Sequence, residues 1–99
     1  METYKVIVTL NLLCGNQHRM FSRSITLPVH VPAVPGLGLF FDLTGNQDCR
    51  RFVVTTPSYD VGSDELELFC DEDQNPNDPD RDFEKIVRFL EESHEWSYL

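Results

Sequence analysis

The chain has 99 residues, 40% of them hydrophobic and 11% aromatic, and its 17 Asp and Glu against 8 Lys and Arg give a formal net charge of -9. That length holds one domain and excludes a multidomain enzyme, while the charge opposes nucleic-acid binding by general phosphate attraction. The apolar content is too high for a disordered acidic tail.

Residues 3–13 alternate cleanly. Tyr4, Val6, Val8, Leu10 and Leu12 share one side, with Lys5, Thr9 and Asn11 on the other, which predicts a long half-buried strand. Gly15 and Asn16 then supply a hairpin turn, and a second strand is expected over 18–27, with Phe21, Ile25 and Leu27 aligned. Pro28, Pro32 and Pro35 make the next stretch extended and unpaired, because proline donates nothing to a ladder. Further strands are expected over 37–43, 50–56 and 65–70, the last with Leu66 and Leu68 inward and Glu65 and Glu67 outward. Residues 71–78 contain no apolar side chain and read as solvated loop.

A helix over 79–93 follows, with Asp78 as N-cap and Pro79 at the first helical position. Phe83, Ile86, Val87 and Leu90 form its apolar stripe, and Trp96 and Tyr98 in the tail are expected to fold back onto the sheet. The expected fold is α+β: one domain over 1–99, an antiparallel, curled sheet of about five strands, and one C-terminal amphipathic helix packed on one face.

Such a sheet needs one apolar face, yet Ile7, Leu13, Phe40, Val53 and Phe69 fall on the opposite parity. A curled sheet covers part of this second face. Otherwise Ile7, Phe40, Val53 and Phe69 are an apolar interface for a partner or a second copy.

The charge divides unevenly. Residues 1–59 hold three acids and five bases, a net of +2, whereas residues 60–99 hold fourteen acids and three bases, a net of -11. Such asymmetry steers the approach of charged partners.

Motifs for chemistry are sparse. Asp71-x-Asp73-x-Asn75 resembles the opening of an EF-hand calcium loop, whose alternate oxygen ligands suit a hard cation. Pro76 stands where that loop needs glycine and Asp82 where it needs its closing Glu, so Asp71, Asp73 and Asn75 rank only as a calcium candidate. Arg19 and Arg23 share the apolar side of the second strand, where each either lies at a strand end with its stem covering neighbours or meets a carboxylate or an anionic ligand such as a phosphate. With Asp42-x-Thr44 they resemble in part the motif of the cyclic-dinucleotide-binding PilZ domains. Gln47 replaces the glycine that motif requires, and the family is not assigned.

Cys14 and His18 flank one turn but lack an orienting third group for catalysis. No zinc spacing or complete nucleotide motif is present, so neither enzymatic activity nor a cofactor is expected. Three cysteines without CxxC spacing, no signal-peptide pattern and no apolar run near the roughly 20 residues of a membrane span predict a cytoplasmic protein with reduced thiols, acting away from membranes.

The leading expectation is a small non-enzymatic binding protein, in the manner of a DNA mimic or an immunity protein. It meets a basic protein partner through Glu65, Glu67, Asp71, Glu72, Asp73, Glu84, Glu91 and Glu92, with no direct contact to nucleic acid. The alternatives are a domain that binds calcium or an anionic ligand, and a structural homodimer.

Overall fold

The computed structural model describes residues 2–47, 49–73 and 82–98. Six strands and one helix follow in chain order: β1 (Thr3–Cys14), β2 (Gln17–Pro28), β3 (Gly38–Asp42), β4 (Cys49–Asp60), β5 (Glu65–Glu72), α1 (Phe83–Glu92) and β6 (Ser97–Tyr98). The strands form one sheet in the order β3-β4-β5-β1-β2-β6, curled into a half-barrel.

Two features correct the expected sheet. It has six strands among the described residues, because Ser97 and Tyr98 pair with Ser22 and Phe21 of β2. It is also mixed rather than purely antiparallel, since β5 runs parallel to β1 from Ile7↔Glu67 to Asn11↔Asp71. The alternation of β1 sets which side each residue faces but not the direction of its neighbour, so parity is the same in either case.

The inner rows are those the alternation predicts. Val8, Leu10, Leu12, Phe21, Phe52, Leu68 and Cys70 are fully buried on the concave side. Phe83, Ile86 and Leu90 of the α1 stripe join the same core, as does Trp96, while Val87 is half-buried against it, so the helix and the tail fill the trough of the half-barrel. Trp96 meets Phe41 edge to face at 5.4 Å.

The helix begins at Phe83, with Asp82 as its N-cap accepting from the Lys85 N–H at 3.0 Å. The expected cap Asp78 and the first helical position Pro79 lie outside the described residues. Gly45, in the turn after β3, sits at φ 78°, and a Cβ there would lie 3.1 Å from the Phe89 ring. The turn therefore needs glycine twice, for its left-handed backbone and for the close approach of the helix.

The fourth strand outruns its expected end at residue 56 and continues through Pro57 to Asp60. β3 has ended by then, which makes this stretch a sheet edge, where proline is tolerated. A bulge between Val54 and Thr56 shifts the register with β5, and the Thr55 hydroxyl bonds the Phe69 carbonyl at 3.0 Å.

Candidate interaction surface

Side chains facing away from the core define the convex side of the sheet. Cross-strand registers place Phe40 opposite Arg51, Val53 opposite Asp71, Phe69 alongside Thr9, and Glu67 alongside Ile7. Each apolar residue in this set is the diagonal neighbour of the next. Phe40, Val53, Phe69 and Ile7 thus run obliquely across β3, β4, β5 and β1, at separations that large side chains bridge. Phe40 is 65% exposed, and Ile7, Val53 and Phe69 are half-buried. The helix and Trp96 are on the other side of the sheet and do not cover this line, which is exposed at its Phe40 end and half-buried from Val53 to Ile7, with Thr9 buried beside Phe69.

The carboxylates divide between the two sides. Glu65 and Asp71 are exposed and Glu67 is half-buried on the convex side. Asp71 accepts a hydrogen bond from the Asn11 amide at 2.9 Å. Asp73 bonds Arg51 at the head of the apolar line.

Glu72 points the other way and is withdrawn from the expected surface. Its side chain is 2% exposed and lies 3.6 Å from the Arg50 guanidinium on the concave side. The alternation that turns Asp71 and Asp73 outward turns Glu72 inward, beside the row of Phe52. Glu84, Glu91 and Glu92 stand on the solvent face of α1, interspersed with Lys85 and Arg88. The eight carboxylates expected to act together therefore form two separate groups and one buried member.

The two arginines of β2 diverge. Arg23 pairs with Glu95 at 3.3 Å and lies 5.6 Å from the centre of the Trp96 ring. Arg19 donates to the His18 carbonyl at 2.9 Å and lines an open groove of about 480 Å³ with Phe83, Glu84, Val87, Arg88 and Glu91. They do not converge on one anion.

In the calcium candidate, Asp73 is engaged by Arg51, and Asn75 lies outside the described residues. Among the described residues no group of three or more His, Cys, Asp or Glu is placed to hold a metal ion. Cys49 is exposed, Cys14 half-buried and Cys70 buried. Burial pushes the Cys70 thiol up to about 12, with a further contribution from the charge of Asp71. No helix among the described residues is long and apolar enough to cross a membrane.

Comparison with protein-family models, with curated proteins and with solved structures found no match to this chain.

Proposed function

We propose that the protein is a non-enzymatic binding protein whose convex sheet face docks a basic protein partner. One observation carries this reading: the apolar line from the exposed Phe40 to the half-buried Ile7 runs beside Glu65, Glu67 and Asp71 on the same face. Apolar side chains in the centre of an interface supply most of the binding free energy, and charges around them set orientation and rate. The matching partner presents apolar side chains flanked by Lys or Arg. The helix face is the poorer candidate, because Lys85 and Arg88 offset Glu84, Glu91 and Glu92 there.

The test compares two charge-neutralised variants with the wild type in capture from lysate at low and high salt. Glu65→Gln/Glu67→Gln/Asp71→Asn should lose the salt-sensitive partner, whereas Glu84→Gln/Glu91→Gln/Glu92→Gln should retain it. Equal recovery by all three proteins overturns the proposal, and loss only in the helix variant moves the site to the opposite side of the molecule.

A further inference from the structure

The exposed end of the apolar line is also an edge of the sheet. Among the described residues β3 pairs with β4 alone. The Val54 N–H bonds the Leu37 carbonyl at 2.9 Å, and the Asp73 N–H bonds the Arg51 carbonyl at 2.9 Å on the other side of β4. Alternation along an antiparallel ladder then turns the main-chain groups of Leu39 and Phe41 towards β4. Those of Gly38 and Phe40 point out from the edge. Sheet edges are commonly blunted by lysine, proline, a bulge or a covering segment. The segment Gly38-Leu39-Phe40-Phe41-Asp42 contains no lysine or proline and carries a 65% exposed phenylalanine at its centre.

We propose that two copies of the chain join edge to edge through β3, antiparallel, about a two-fold axis at Phe40. The segment is complementary to itself in that register. Phe40 falls opposite Phe40 of the second copy, the two backbones exchange N–H···O bonds, and the rings meet on the convex face. Gly38 falls opposite Asp42 of the second copy.

The space over Gly38 is occupied by a cation: a Cβ at that position would lie 2.8 Å from both Nε and Nη2 of Arg51. The incoming Asp42 carboxylate, which keeps the N–H bonds of Thr44 and Gly45 from its own turn, arrives beside a guanidinium that it shares with Asp73, and symmetry makes this contact twice. That local attraction opposes the general repulsion between two molecules of net charge -9. A foreign strand would need an acid at the same offset to match it, which every second copy already has. Joining the edges also brings the two apolar lines together at Phe40, yet the dimer needs no basic partner and is testable without one.

Sedimentation velocity on the full chain over a wide concentration range tests this inference. The wild type is expected to pass from monomer to dimer as concentration rises. Phe40→Lys, with the circular dichroism of the fold retained, is expected to weaken the dimer by about ten-fold or more, since edge lysines oppose strand addition. Phe69→Lys, on the face but away from the edge, is expected to dimerise as the wild type does.

Should Phe40→Lys fail to fold, Phe40→Thr removes the ring and keeps a residue suited to strands. Its dimer is expected to weaken in the same direction. A wild type that stays monomeric throughout overturns the proposal. So does a dimer that survives these substitutions or falls equally with Phe69→Lys.

Discussion

Gln47 closes the turn between β3 and β4 with φ at 62°. A side chain in that left-handed region crowds the backbone by about 1–2 kcal/mol. The turn imposes the conformation because the Asp42 carboxylate gathers the N–H groups of Thr44 at 3.1 Å and Gly45 at 3.0 Å. Replacing Gln47 by Gly relieves the crowding but adds freedom to the unfolded chain. The net expectation for Gln47→Gly is a gain of about 0.5–1 kcal/mol in a urea titration.

Cys70 predicts a pH effect with a definite sign. The buried thiol keeps its proton up to about 12, against an ordinary 9.0. Between those values the unfolded chain has released the proton and the folded chain has not, so folding stability falls as pH rises. Below pH 9 the Cys70 contribution is constant. Cys70→Ala is expected to lack this component. The stability advantage of the wild type over the variant should therefore shrink between pH 9 and 12 in urea titrations, and a constant gap would refute the assignment.

At the scale of elements, the alternation of Val6 to Leu12 made β1 legible, and the spacing of Phe83, Ile86 and Leu90 made α1 legible. Both patterns survive because one face of each element is buried in a single core. What was not legible depends on neighbours. Pro57 reads as a strand breaker until β3 is known to stop short of it. Ser97 and Tyr98 carry no strand pattern, and they pair with β2 because Trp96 is anchored in the core beside Arg23.

The candidate surface divides in the same way. The second-face residues Phe40, Val53, Phe69 and Ile7 follow from parity alone. Their union into one oblique line required the registers of β4 and of the parallel β5. The acidic cluster reads as one surface in the sequence because Asp71, Glu72 and Asp73 are contiguous. In a strand, contiguity means opposite faces, and Glu72 departs to Arg50.

Across the whole molecule, the described sheet joins a hairpin, β1–β2, to an antiparallel unit, β3–β4–β5, at the parallel seam between β1 and β5. Neither part closes a core alone, as a small sheet needs further strands or a helix against its apolar face. Val8, Leu10 and Phe21 come from one part, Phe52, Leu68 and Cys70 from the other, and α1 seals both with Ile86 and Leu90. The seam is thus the place where the two halves become one cooperative unit.

The far end of the β4–β5 hairpin is different. β4 has no β3 partner beyond Val53, β5 meets β1 only from Glu67 onward, and Tyr59 and Val61 near the tip are 57% and 82% exposed. Local opening there breaks few contacts, whereas opening at Val8, Leu10, Leu68 or Cys70 requires the core to separate. Native-state hydrogen exchange should therefore show the slowest amides at those four seam residues. Amides of the 56–66 hairpin end should exchange about a hundred-fold faster or more. Seam amides that exchange as fast as an unprotected tip would mean that the seam opens without global unfolding, and the parallel pairing would then not be what holds the sheet together.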